Sequence, residues 1–307
     1  MNAIDRQFSE LVQEIGSLGE KELYYRIRRA FDAVPAETRR SCQDFFNRFG
    51  FWGRLDPDSG VFEQIELKEL ALFEHLSEYV WLYGRLEDYR SKKTLYAILS
   101  NWYRYDFKTT AEAKEYLYDD YFDLDIVRCS PDEVIVDLGA FTGDTVKSYI
   151  KNYGEDCYRK IYCYEITPES FDKLKASLAG LRDIELRQKG VSDAPGRLRL
   201  LTNEFSSSNR LAPEEDGEVE VTTLDLDITE PVTLIKADIE GFELRALEGA
   251  RRHILNDHPK LLISVYHDNG HLWQIPRLID EVSRDYKFHL RFRSSPIYPT
   301  EISLLAT

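Results

Sequence analysis

The chain has 307 residues, 43% of them hydrophobic and 13% aromatic, which is enough apolar material for a substantial core in one or two domains. A formal charge of −15 and a pI near 5.0 argue against a sequence-independent nucleic-acid binder and against a protein held on an anionic membrane. Residues 1–32 lack the apolar core of a signal peptide, no run approaches the roughly 20 apolar residues of a membrane span, and Cys42, Cys129, Cys157 and Cys163 show neither a CxxC pair nor zinc spacing, so a soluble, cytoplasmic protein with reduced thiols is expected.

From Met1 to about Asp125, apolar residues recur at spacings of three and four, Gly and Pro are sparse, and no alternating strand stands out, so this region is expected to be all-helical. Breaks fall at Gly16 to Gly19, at Val34-Pro35 and across Gly53 to Gly60. Residues 62–89 set Phe62, Ile65, Leu70, Phe73, Leu76, Val80, Tyr83 and Leu86 near one stripe and predict a long amphipathic helix, straight or bent. Further helices are predicted over 92–103 and 110–118, the second opened by Thr109-Thr110. The aromatic stretches "YYRIRRAF" and "YVWLYGRLEDY" read as core rather than as a carbohydrate platform. The helical region is expected to serve as a lid, a homodimer interface or a docking surface.

After Ser130-Pro131 the pattern changes to short apolar runs alternating with helical segments, the signature of an α/β domain over 126–307 built on a βαβ sheet. Strands are predicted at 134–138, 161–164, 184–188, 233–237 and 261–265. Between the third and fourth, 198–201 and 219–223 predict a hairpin around the polar loop "TNEFSSSNRLAPEEDGE". A helix over 275–283 and a closing antiparallel pair at 286–292 and 301–305 complete the pattern.

"VIVDLGAFTGDTV" carries the first chemical signal. A β-branched strand runs through Asp137 into Gly139 and Gly143, which free the backbone for close approach of a ligand, while Asp144 and Thr145 cap the helix that follows. A nucleotide in an open α/β sheet sits at the carboxyl ends of the strands. There the second strand ends in Glu165, 22 residues beyond Gly143, an offset at which an acid accepts the ribose hydroxyls of an adenosine. A nicotinamide-dependent oxidoreductase would share that acid, yet the turn lacks G-x-G-x-x-G. Asp137 before the first glycine, with Glu165 on the second strand, fits a sulfonium cofactor better, since that needs no pyrophosphate cradle, and Asp137 and Asp238 join the expected cofactor contacts. In "TLIKADIEGFELRALEGA" the fourth strand runs into Asp238 and Glu240-Gly241. Asp238 faces the same crevice; Glu240 reads as a site acid or as an acid stabilising a first helical turn.

With "YCYEITPESFDKL", "KGVSDAPGRLRL" and "VTTLDL", these blocks resemble the FkbM family of S-adenosylmethionine-dependent methyltransferases, over roughly residues 130–306. The K-x-D-x-E-G-x-E block, here Lys236, Asp238, Glu240, Gly241 and Glu243, is the most family-specific part. The resemblance implies a class I methyltransferase fold (Rossmann-like, seven-stranded, with an antiparallel last strand) and O-methylation of a sugar, glycan precursor or secondary metabolite, with S-adenosyl-L-methionine as cofactor. It assigns Gly139, Ala140, Phe141 and Gly143 to the cofactor turn, with Asp144 and Thr145 opening the helix beneath, Glu165 to the ribose, and Ile166, Val191, Ser192 and Asp193 to the adenine. Asp193 reads equally as a turn residue in "SDAPG". Phe141 departs from the family, which often has Asn there.

Methyl transfer is an in-line displacement that depends on positioning, and a base receiving the acceptor's proton adds to the rate. Asp238, Glu240 and His267 are the candidate bases. His267 reads alternatively as a loop residue, and with His271 and nearby acids as part of a divalent-metal site, although no recognisable ligand spacing supports a metal. Ser206, Ser208 and Asn209 offer hydroxyl and amide groups suited to a polyol, and Glu240 and Arg291 complete the expected substrate contacts, Arg291 reading equally as edge-strand charge. Besides the O-methyltransferase, two readings stay open: an oxidoreductase, and a catalytically silent fold member that binds a partner through its helical half.

Overall fold

The computed structural model describes residues 2–118, 121–203, 209–215 and 217–307, without the side chains of 213–215. By internal contacts the chain forms two units, one of Met1–Tyr116, Val265–Trp273 and Lys287–Ser303, the other of Leu117–Ser264, Gln274–Tyr286 and Leu304–Thr307. The expected division at 125/126 therefore differs from the contact division, which falls at 116/117 and gives two C-terminal segments to the first unit.

Helices α1 (Ala3–Gly16), α2 (Glu20–Ala33), α3 (Ala36–Phe49), α4 (Glu63–Glu74), α5 (Leu76–Arg85), α6 (Tyr89–Arg104) and α7 (Phe107–Ala113) occupy the first unit. Asn2 and Asp5 form a capping box that starts α1, whose Ile4, Phe8, Leu11 and Ile15 are buried. The long helix expected over 62–89 is two helices that meet at His75 (φ −118°, ψ 17°). Within α4 the buried face runs through Ile65, Lys68 and Leu72, so Leu70 and Phe73 of the expected stripe are exposed; in α5 Tyr79 and Leu82 are buried and Val80 is exposed. The helix expected at 110–118 begins earlier, because Asp106 accepts the Thr109 N–H at 3.0 Å and caps α7.

Asp88 caps α6 by accepting the Ser91 N–H at 2.7 Å and also accepts a bond from Arg291 Nη2 at 2.7 Å. Arg291 is 1% exposed and donates further to Ser91 and to the Leu290 carbonyl. Its guanidinium is thus spent inside the first unit, which corrects the expectation of a substrate clamp. Burial alone would raise the Asp88 carboxyl, but the bonds from Arg291 and Ser91 outweigh it and hold the group at about 2. A depressed carboxylate stabilises the fold above its unfolded value of 3.8 and loses that contribution as pH falls toward 2. Asp88→Asn is expected to cost about 1–3 kcal/mol at pH 7 and to flatten the acid loss in that window, as read by denaturant unfolding at several pH values.

The chain continues with β1 (Val134–Leu138), α8 (Asp144–Tyr153), β2 (Lys160–Tyr164), α9 (Pro168–Ser177), β3 (Ile184–Arg187), β4 (Gly190–Val191), β5 (Gly196–Leu201), β6 (Arg210–Glu215), β7 (Val219–Thr222) and α10 (Leu224–Asp227). Then follow β8 (Leu234–Ala237), α11 (Glu243–Glu248), α12 (Arg251–Asn256), β9 (Lys260–Ser264), α13 (His271–Val282), β10 (Phe288–Phe292) and β11 (Ile302–Ala306). The main sheet has the order β10-β11-β9-β8-β1-β2-β3, so the last strand in sequence lies between β9 and β10. Strands β3, β2, β1, β8 and β9 pair in parallel. β1 is buried at every residue, as a central parallel strand covered on both faces requires. Ile135, Val146, Tyr149, Ile161, Leu174 and Leu234 belong to the core of this unit.

The expected hairpin is part of a second sheet, ordered β4-β7-β5-β6. β5 and β7 pair antiparallel as a hairpin would, but a further strand, β6, arises within the stretch expected to be loop. The reason is apolar. Leu211 packs with Leu198, Val219, Val221 and Phe242 in a small core of its own. All four cysteines are free, and among the described residues no helix is long and apolar enough to cross a membrane.

Candidate cofactor and acceptor site

Register places Asp137 of β1 opposite Lys236 of β8, one residue before β1 ends. Beyond that point the backbone turns sharply. Gly139 adopts φ +77°, and a Cβ there would lie 1.9 Å from the Asp238 carbonyl oxygen, so this crossing of two loops admits only glycine. The N–H groups of Gly139 and Ala140 donate to the Tyr164 carbonyl at 3.0 and 2.9 Å, tying the turn to the end of β2. Phe141 takes φ +46°, a left-handed conformation that Asn adopts more readily than a bulky side chain. Gly143 (φ +87°) then leads into α8.

Glu165 closes the turn from the other side. It is 7% exposed, and its carboxylate accepts the Phe141 N–H at 3.0 Å and the Thr167 N–H at 2.7 Å. Burial pushes its carboxyl up, against the pull of those amide bonds and of the Thr167 hydroxyl. A carboxylate has about four acceptor positions, so capacity remains for a ligand hydroxyl. Glu165 lines a pocket of about 570 Å³ together with Gly139, Phe141, Ile166 and Val191, and Asn209, Asp238 and Glu240 reach the same space.

Several expected cofactor contacts do not line it. Asp137 is 1% exposed and forms an ion pair with Lys236 Nζ at 3.0 Å, while the same ammonium donates to the Gly139 carbonyl at 2.8 Å. The Asp137–Lys236 pair therefore supports the turn from beneath. Burial raises the Asp137 carboxyl, opposed by Lys236, and the Lys236 ammonium is raised by Asp137 and Asp238 against its own burial. Ala140 is fully buried and Gly143 packs on Leu178. Asp144 is exposed in the first turn of α8, and Thr145 is buried beside it. Ser192 is buried and donates to Asp193, which is exposed beside Arg245, consistent with the turn reading of Asp193.

The loop after β8 is shaped by Glu243. Fully buried, it accepts the Ile239 N–H at 2.8 Å and the Gly241 N–H at 3.1 Å. Glu240 precedes α11 in a left-handed conformation (φ +55°), so it does not stabilise a first helical turn; it lines the pocket. Asp238 accepts a bond from the Tyr121 hydroxyl at 2.8 Å, and that hydroxyl lies 3.0 Å from Ser264 Oγ. Sequence reasoning missed Tyr121, which sits in no motif, and left Lys236 out of the site although its block was recognised. It also missed Thr167 and Lys189 on the pocket wall.

Of the other expected residues, Asn209 lines the pocket and donates to Thr167 Oγ1 at 3.3 Å. Ser206 and Ser208 lie outside the described residues. His267 belongs to the first unit, 4% exposed, with its ring 5.4 Å from that of Phe51 and 4.1 Å from that of Tyr266; the two candidate acids belong to the second.

A family model described as "Methyltransferase FkbM domain" matches residues 137–290. Among solved structures, the chain is similar to the methyltransferase FkbM from Methylobacillus flagellatus KT, with 25% identity and a TM-score of 0.64 over 76% of this chain and 59% of that one. The chain thus spans about three fifths of the length of that protein. Weaker likenesses include an rRNA methylase from Streptococcus thermophilus (14% identity, TM-score 0.37, 58% of this chain and 87% of that one). Another is the Aeropyrum pernix fibrillarin in complex with S-adenosyl-L-methionine (13% identity, TM-score 0.36, 58% and 67%). No curated protein matches the sequence.

Proposed function

The chain belongs to the FkbM methyltransferase family, and from that premise we propose that it moves a methyl group from S-adenosyl-L-methionine to a hydroxyl oxygen of a sugar, glycan precursor or secondary metabolite. The observation that carries the reading is Glu165, buried after the end of β2, held by the Phe141 and Thr167 amides and lining the pocket beside the Gly139 turn. A vicinal diol suits that carboxylate. The apolar walls at Ile166, Val191 and Leu211 suit an adenine face, and the close backbone crossing at Gly139 keeps the turn free of side-chain bulk. The residues therefore fit the group.

When bound, the cofactor supplies an electrophilic methyl carbon on a sulfonium. The chain's part is positioning and proton handling. Glu165 accepts the ribose hydroxyls, Ile166 and Val191 flank the base, and Asn209 offers its amide to a polar ligand. Asp238, oriented by the Tyr121 hydroxyl, receives the acceptor's proton as its oxygen attacks, and Glu240 holds a neighbouring acceptor hydroxyl. A base of this kind contributes about a hundredfold or more in rate. Exclusion of water keeps the attacking oxygen that of the acceptor.

Calorimetric titration tests the reading. S-adenosylhomocysteine is expected to bind, and Glu165→Ala to weaken it by about 1–3 kcal/mol, roughly 5- to 150-fold. Binding of NADH instead would indicate an oxidoreductase, and binding of neither a catalytically silent fold member. An unchanged affinity in Glu165→Ala would remove that residue from the site. Screening saccharides and metabolites for a one-methyl mass gain then identifies the acceptor.

A further inference from the structure

The first unit holds a second pocket, about 370 Å³ with its mouth open to solvent included, that methyl transfer leaves unexplained. Phe46, Trp52, Trp102 and Tyr266 give it aromatic walls, and Gln64, Asn269 and Thr300 bring polar groups to it. Lys68 of α4 also lines it and is only 3% exposed. A lysine in that position is costly unless its charge is balanced.

Nothing in the described residues balances it. Among the described residues no hydrogen bond or ion pair reaches the Lys68 ammonium. Its recorded neighbours are the Tyr105 ring, 4.2 Å from Nζ to the centroid, and the Phe46 ring at 5.6 Å. Ring faces offset only part of the lost hydration. The titratable group whose charge would act on Lys68 is the Cys42 thiol, which burial pushes up to about 11, so it stays neutral and supplies no counter-charge. Burial pulls Lys68 itself down to about 7. Asp268, the acid on the wall, is engaged with the Gly270 N–H at 2.6 Å. The Trp52 indole N–H is likewise committed, donating to the Tyr266 carbonyl at 2.6 Å, so the walls are fixed while the ammonium waits for a partner.

We propose that this pocket is a binding site for a small carboxylate on a flat, apolar-faced body, a sugar acid or an aromatic acid, whose anionic group meets Lys68 while its ring lies against Trp52 and Trp102. The carboxylate supplies the missing counter-charge, and the ring faces supply the stacking surface. Gln64 and Asn269 then select hydroxyls at the edge of the ring. This site does not depend on the methyl-transfer reading, since every residue in it belongs to the first unit.

The test compares acids with their neutral amides on the intact wild-type chain: glucuronate against glucuronamide and benzoate against benzamide, by calorimetry and by the fluorescence of the pocket tryptophans. At least one acid is expected to bind tenfold or more tightly than its amide, and the tighter acid identifies the ring. In Lys68→Met, which keeps the apolar stem, that preference should vanish while S-adenosylhomocysteine binding in the second unit stays unchanged. Absence of binding by both acids, equal binding of acid and amide, or an acid preference that survives Lys68→Met overturns the proposal. Should Lys68→Met fail to fold, the acid–amide comparison on the wild-type chain decides the matter alone.

Discussion

Gly139→Ala is expected to abolish binding of S-adenosylhomocysteine, with a loss of about a thousandfold, ~4 kcal/mol, by calorimetry. Two independent costs meet at that atom. A left-handed backbone disfavours any Cβ by about 1–2 kcal/mol, and the new methyl would sit 1.9 Å from the carbonyl oxygen of Asp238. That oxygen is backbone and cannot rotate away, so the two loops must part. Parting them moves Glu165's amide donor at Phe141 and the approach to Asp238 together, which is why affinity falls further than strain alone explains. A circular dichroism spectrum resembling wild type alongside the lost binding would locate the damage at the site. Wild-type affinity in this variant would mean that the turn does not touch the ligand.

The second large effect is expected from Lys236→Met. Breaking a buried ion pair by removing one partner costs about 3–5 kcal/mol, because the remaining charge is stranded, and here the stranded group is Asp137, 1% exposed. The pH dependence has a definite sign. Asp137's carboxyl is already raised above 3.8 in the folded chain by burial, and Lys236 is what opposes the rise. Without Lys236 the folded state holds the proton more tightly than the unfolded one, so protonation favours folding. The variant's deficit should be full at pH 7 and shrink as pH falls toward 3.8, as followed by denaturant unfolding. Adding Asp137→Asn to Lys236→Met should recover part of the loss, and a double variant as unstable as the sum of the singles would show that the pair is not coupled.

Much of the parallel sheet was legible because its strands are short, continuous, β-branched runs, and β1, β2, β8 and β9 lie within one residue of their expected bounds. The place of Glu165 on the pocket wall was legible from its offset. What the sequence could not display was direction. Asp137 was read as a ligand contact because a carboxylate ends the strand, yet register sets it against Lys236, and register between β1 and β8 joins residues 99 apart, 236 − 137. Tyr121 reaches Asp238 across 117 residues and leaves no local trace. Strand β6 was hidden because its apolar residues, Leu211 and Ala212, stand side by side in a polar stretch and show no alternation. The helix expected over 62–89 differs for two reasons: the chain breaks at His75, and within α4 the buried face includes Lys68 and Leu72, so a stripe drawn through Leu70 and Phe73 falls on the exposed side.

The account stands on the pocket at the carboxyl ends of β1, β2 and β8 being the adenosine site. Determining the structure of the chain with S-adenosylhomocysteine bound tests it most directly. The account predicts the ribose hydroxyls on Glu165 and the adenine between Ile166 and Val191; a ligand seated elsewhere, with Glu165 touching none of it, would contradict it.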